Sequence, residues 1–159
     1  VIPGSIQFSL NYNHRLELGT KYQGIASQSS DDWLGEVGTS KDSAKASIGW
    51  SSKRFMLKWT TVYIGKAVDS NEAAESFAQA GITDPLYLNV PAYWRHDLSF
   101  RITPPLRNPN LRIFGSIRNL FNKYGPFLPD GTESGNTYNY NSVYGVTGRS
   151  FTLGAQFAF

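Results

Sequence analysis

His96 and Asp97 are adjacent, and a histidine beside a carboxylate is the start of a hydrolase relay if a serine comes within reach. The other histidine, His14, is far away in the sequence. The chain has no cysteine, which excludes a thiol nucleophile, a disulfide framework and a thiolate-held metal. No phosphate-cradling loop, dinucleotide fingerprint or zinc spacing occurs. Asp31, Asp32 and Glu36 could approach a cation, but their spacing fits no calcium loop, and solvated charge accounts for them. The remaining chemistry is recognition. Trp33, Phe77, Tyr87, Tyr124, Tyr138 and Tyr140 fall between the patterned segments, where rings either stack on a ligand or pack loops together. Lys58, Arg95, Arg101, Arg112 and Arg118 either guide anionic solutes or pair with acidic neighbours.

These residues sit in or between stretches of strict alternation, the mark of strands with two unlike faces. Ile6, Phe8, Leu10 and Tyr12 alternate with Gln7, Ser9, Asn11 and Asn13. A weaker run covers Lys21–Ser27. Ala44 to Trp50, Phe55 to Tyr63, Trp94 to Ile102, Leu111 to Ile117 and Phe151 to Phe159 repeat the pattern. His96 and Asp97 therefore point to opposite faces of one strand, which separates the two halves of the supposed relay. No catalytic constellation and no cofactor site is expected.

Three features put lipid on the apolar side of this pattern rather than the second layer of a soluble sandwich. Cations and small residues share the polar face, as in a barrel lumen. Aromatics such as Trp50, Phe55, Tyr63, Trp94 and Phe151 stand near strand ends, as in an interfacial girdle. The connections alternate in length. Short turns are expected near Leu18–Thr20, at Ser51–Lys53 and at Pro104–Asn110, and long segments over Gln28–Lys41, Lys66–Pro91 and Lys123–Arg149. In a meander this places all long loops at one end, an outer-membrane habit that compact domains rarely share. Within the middle loop, Ser70–Gly81 reads as a short helix with Ser70 as N-cap and Gly81 at its C-terminus.

Composition agrees. Charged residues make up 17% of the 159 residues, below the roughly 25% usual for soluble domains. Aromatics reach 14%, which excludes a disordered chain. The net charge of +3 comes without a basic block, so nucleic acid is not an expected partner. The expected fold is all-β: an antiparallel up-and-down transmembrane β-barrel segment of about seven strands from a larger barrel, long loops on one side and short turns on the other. The alternative is a soluble β-rich module that binds carbohydrate or another ligand with aromatic-lined loops.

Two segments carry a family resemblance. Gly115-Ser116-Ile117-Arg118-Asn119-Leu120-Phe121-Asn122-Lys123-Tyr124 resembles the penultimate strand of TonB-dependent outer-membrane receptors, with Asn122 where the family usually has Asp. Tyr144 to Phe159 resembles the same family's closing strand, with its Gly148-Arg149 start and final Phe. Tyr63-Ile64-Gly65-Lys66 and Val90-Pro91-Ala92-Tyr93 are similar to shorter words of the family. The resemblance implies that residues 1–159 are the C-terminal part of such a barrel, with the plug domain and TonB-binding segment outside this chain. It implies residence in the outer membrane of a Gram-negative bacterium and TonB-driven uptake of a scarce nutrient of the ferric siderophore, cobalamin or saccharide class. The implied partners are outer-membrane lipid, the remaining strands and plug, TonB, and the barrel-assembly machinery, which would read a signal in Phe157 and Phe159.

Overall fold

The computed structural model describes residues 3–23, 28–82, 88–105, 111–126, 143–145 and 147–157. In chain order the elements are β1 (Ser5–His14), β2 (Gly19–Gln23), β3 (Gln28–Asp32), β4 (Asp42–Ser51), β5 (Phe55–Ile64), β6 (Ala67–Val68), α1 (Asn71–Gln79), β7 (Asn89–Val90), β8 (Tyr93–Ile102), β9 (Leu111–Arg118) and β10 (Ser150–Phe157). Six of them form one antiparallel sheet in the order β1-β4-β5-β8-β9-β10. The sheet is open: β1 and β10 are its edges among the described residues.

Register converts the alternation of each strand into rows that run the width of the sheet. Phe8, Ile48, Trp59, Leu98, Ile117 and Phe151 stand side by side across all six strands. Two residues nearer the short turns, Ile6, Trp50, Leu57, Phe100, Gly115 and Leu153 form a parallel row. Gly115 leaves no hole there, because the Phe100 ring lies over it and a Cβ would meet that ring at 2.8 Å. The opposite face runs Gln7, Gly49, Lys58, Ser99, Ser116 and Thr152. Among the described residues no second layer covers the apolar face: Ile48 and Leu57 in central strands are 52% and 46% exposed, the edge residues Ile6, Phe8 and Leu153 more so, and Trp59, Leu98, Phe100 and Ile117 are half-buried.

The buried residues lie elsewhere. Ala67, Val90, Tyr93 and Tyr144 cluster where the long connections leave the sheet, with Val37, Ile64 and Val143 packed against them. The two-residue strands β6 and β7 pair there, and a parallel bridge joins Glu36 to Val68.

The connections alternate as the sequence predicts. The segments 15–41, 65–92 and 119–149 are long, and 52–54 and 103–110 are short. One expectation is corrected. The run beginning at Lys21 is not a second strand of the meander, and Leu18–Thr20 is not a turn between sheet neighbours. β1 pairs directly with β4 over ten residues, and β2 pairs with β3 in a separate hairpin. The main sheet therefore has six strands rather than about seven. β4 matches the length and alternation of β1, whereas five-residue Gly19-Thr20-Lys21-Tyr22-Gln23 has no apolar series to extend the rows. Gly24–Ser27 lie outside the described residues.

The helix forms where expected. Ser70 is its N-cap and its hydroxyl accepts from the Ala73 amide. Gly81, with φ of 80°, donates to Ala78 while Ile82 donates to Phe77, a Schellman closure. Ser70→Ala is expected to cost the helix about 1 kcal/mol. Amides of α1 in the intact protein should then exchange roughly fivefold faster, while those of β4 and β5 stay unchanged.

Candidate functional site

The long-connection end gathers most of the specific polar contacts. In the first connection Trp33 to Ser40 folds into a compact turn. Gly35 and Gly38 adopt φ of 91° and 92°, a left-handed conformation that a side chain would strain. The Thr39 hydroxyl donates to the carbonyls of Trp33 and Glu36. Val37 and Val68 tie this turn to β6 through backbone bonds at 3.0 and 2.8 Å between Val37 N and Val68 O and between Val68 N and Gly35 O. Asn71 then locks the helix onto it. Its amide donates to Glu36 Oε1 at 2.8 Å, and its Nδ2 donates to the Asp32 carbonyl at 2.6 Å. Glu36 is thus a carboxylate seated on the positive end of α1, where helix dipole and free amide both favour it. Asp32 accepts from the Leu34 amide at 2.9 Å. Among the described residues no acidic or histidine cluster could hold a metal ion.

The third connection begins in the word Asn119-Leu120-Phe121-Asn122. Asn119 is 3% exposed and its side chain clasps Lys123, with Nδ2 donating to the Lys123 carbonyl and Oδ1 accepting from the Lys123 amide, both at 2.9 Å. Its φ of 57° turns the chain away from β9. The Asn119 amide donates to Asp97 Oδ1 at 2.9 Å, and the Leu120 amide to the His96 carbonyl at 2.7 Å. Phe121 is thereby placed against Trp59 and His96, with ring centroids 5.9 and 5.2 Å away. Asn122, also left-handed with φ of 54°, accepts at Oδ1 from the Arg149 amide at 2.8 Å. The Tyr93 hydroxyl donates to the Lys123 carbonyl at 3.1 Å, and the Lys123 ammonium stands 5.6 Å from the Tyr93 ring centroid.

The two halves of the supposed relay part as their alternation requires. His96 Nδ1 lies 2.9 Å from the Thr61 hydroxyl on the apolar face, and Trp59 Nε1 donates to that hydroxyl at 3.1 Å. Asp97, on the polar face, pairs with Arg95 at 3.2 Å. His14 instead meets Asp42 at 2.7 Å, where Tyr12 also donates, at 2.5 Å. Lys58, Arg101 and Arg112 occupy the polar face without an ion pair among the described residues.

Of the loop aromatics, Trp33 and Phe77 are 37% and 39% exposed, and Asn71 joins the elements that carry them. Phe77 borders an open groove of about 590 Å³ together with Ser70, Glu72, Ser76 and Ile82. Tyr124 is 66% exposed in the third connection, its hydroxyl near Gly148. Tyr87, Tyr138, Tyr140 and Phe159 lie outside the described residues. The structure thus brings two of these rings onto linked elements, and among the described residues Tyr124 makes no ring contact with them. Sequence reasoning did not single out Asn119 as a clamp or the Trp59, His96 and Phe121 rings as a cluster; the Asn-Leu-Phe word was the available signal. Comparison with protein-family profiles, curated proteins and solved structures finds no match for this chain.

Two outcomes test this end of the molecule. Asn119→Ala removes both side-chain bonds, orphans the Lys123 amide, leaves the Lys123 carbonyl to the Tyr93 hydroxyl, and forces a non-glycine, non-asparagine residue into a left-handed φ. A loss of roughly 2–4 kcal/mol is expected in denaturant unfolding, with Asn119→Gly intermediate because it relieves only the backbone. Tyr144 is 2% exposed, and burial pushes its phenol above the usual 10.0, with the neighbouring Ser40 hydroxyl offsetting part of this. Among the described residues neither oxygen has a hydrogen-bond partner of ordinary geometry. The neutral phenol is therefore the folded form. Its contribution is intact below pH 10.0 and is lost as pH rises beyond that toward the raised value. Exchange of the Val90 and Tyr93 amides should accelerate above that pH in the wild type more than in Tyr144→Phe, which should be as stable or slightly more stable at neutral pH.

Proposed function

We propose that this chain is a section of an outer-membrane β-barrel, the C-terminal part of a TonB-dependent receptor that takes up a scarce nutrient. The observation that carries the reading is the apolar face itself. Two apolar rows cross all six strands; Ile6, Phe8, Ile48, Leu57, Phe151 and Leu153 in them are exposed, and Trp50, Trp59, Leu98, Phe100 and Ile117 are only half-buried. A soluble sandwich would bury such a face under a second sheet. Hydrocarbon buries it without any protein partner.

The dimensions support this. The ten-residue strands β1, β4, β5 and β8 match the roughly 9–11 that a tilted strand needs to cross a bilayer, and the eight-residue β9 and β10 fall one short. Three long connections at one end and short ones at the other fit the loop and turn sides of such a barrel. The open edges at β1 and β10 require further strands, because hydrocarbon tolerates no unpaired edge. The Asn119 to Asn122 word supports the family assignment through its place at the end of β9.

In this reading the polar face lines the lumen, and the long connections capture ligand through rings such as Trp33, Phe77 and Tyr124. Ferric siderophores, cobalamin and saccharides are the substrate classes that the resemblance implies. TonB would act through parts of the receptor outside residues 1–159. Phe157 and Phe159, in and beyond β10, would serve the barrel-assembly machinery. The reading assigns the chain no catalytic step, cofactor or nucleic-acid partner.

The test exploits neighbours on opposite faces of β8. Arginine at a mid-bilayer lipid-facing site costs about 2–4 kcal/mol, and a lumen-facing one far less. Leu98→Arg in the full-length protein should sharply lower the amount of heat-resistant folded protein in the outer membrane, while Ser99→Arg should leave it near wild type. Equal tolerance of the two, or a full-length protein that stays monomeric in plain buffer, would replace the barrel with a soluble β-rich binding module.

A further inference from the structure

The charges of the chain are sorted along the strand axis. All twelve Asp and Glu residues fall in the long connections, at Asp42 where β4 begins, or at Asp97 in the middle of β8. None lies in the half of any sheet strand nearer the short turns, or in the turns themselves. That end carries cations alone: Lys53, Arg54, Lys58, Arg101, Arg107 and Arg112 by sequence.

Lys58, Arg101 and Arg112 belong to the polar face. Lys53 and Arg54 are different. They are the central residues of the β4–β5 turn, which the Ser52 amide closes on the Phe55 carbonyl at 2.7 Å and the Phe55 amide on the Ser52 hydroxyl at 3.2 Å. Both are exposed, and neither has an ion pair among the described residues. Beside them is an open cavity of about 690 Å³ walled by Pro3, Gly4, Trp50 and Phe55. Its indole wall is set closely: a Cβ at Gly4 would come within 2.5 Å of Trp50 Nε1. An apolar cavity at the rim with two cations at its mouth matches an amphiphile whose polar end is negative. Aromatic rings of this kind favour the headgroup boundary, and cations there attract acidic lipid.

We propose that this short-turn rim is a binding site for anionic phospholipid, its phosphate held by Lys53 and Arg54 and its glycerol and upper acyl region packed on Trp50 and Phe55. The proposal rests on the outer-membrane reading. Each cation near an acidic membrane surface favours association roughly fivefold.

The test uses the full-length protein reconstituted in phosphatidylcholine with a minor share of phosphatidylglycerol, then extracted in detergent at low salt for native mass spectrometry. The wild type should retain phosphatidylglycerol over phosphatidylcholine by several-fold. Lys53→Gln with Arg54→Gln should abolish that preference and leave phosphatidylcholine retention unchanged. Lys53→Arg with Arg54→Lys should keep it, and Trp50→Ala should lower retention of both lipids. Equal preference in the neutralised variant, or none in the wild type, overturns the site while the Leu98 and Ser99 comparison still stands. Displacement by inorganic phosphate alone reduces it to a bare anion site and overturns the lipid assignment.

Discussion

In-register pairing of long, equally alternating strands is the constraint on which this molecule depends. A strand has only two faces, so a one-residue slip would exchange every apolar side chain for a polar one. β1, β4, β5 and β8 avoid that by pairing over nine or ten residues at each ladder, and the β8–β9 and β9–β10 ladders continue the same parity. The consequence is a sheet stabilised by backbone pairing and cross-strand contacts rather than by a central core. Its small buried cluster, around Val90, Tyr93 and Tyr144, lies to one end.

That displaced cluster explains how a single layer organises its connections. Ile64, at the end of β5, and Tyr93, at the start of β8, reach it from the sheet. Val37 and Ala67 reach it from the connections. Asn71 and Asn119 supply what apolar contact cannot, fixing backbone groups that would otherwise face the loops unpaired. The polar contacts concentrate there because the chain must reverse and refold between strands, whereas inside the sheet the ladder already satisfies the backbone.

Much of this was legible in the residues. Alternation located β1, β4, β5, β8, β9 and β10 and assigned their faces, including the separation of His96 from Asp97. The Ser70 and Gly81 signals bounded the helix because caps are local chemistry. The run near Lys21 was misplaced because strand propensity says nothing about partners: a five-residue polar strand has no row to join, and only pairing reveals that it folds on β3. Asn119 was legible only as part of a word. Its role depends on Asp97, His96 and Lys123 arriving from two strands and a turn, and no spacing rule encodes that meeting. The loop rings were the least legible, since an exposed aromatic reads the same whether it waits for a ligand or packs on a neighbour.

The bond from the Arg149 amide to Asn122 Oδ1 spans 27 residues of sequence and pins the two ends of the third connection side by side. Tyr144 anchors the returning limb in the buried cluster. With its ends fixed in this way, doubling the length of the segment between them would add only about 0.6 kcal/mol of closure entropy. Selection can therefore rewrite, lengthen or replace that stretch while the sheet beneath it stays the same. Scaffold and connection are then separable in principle, and the seam between them runs through one asparagine side chain.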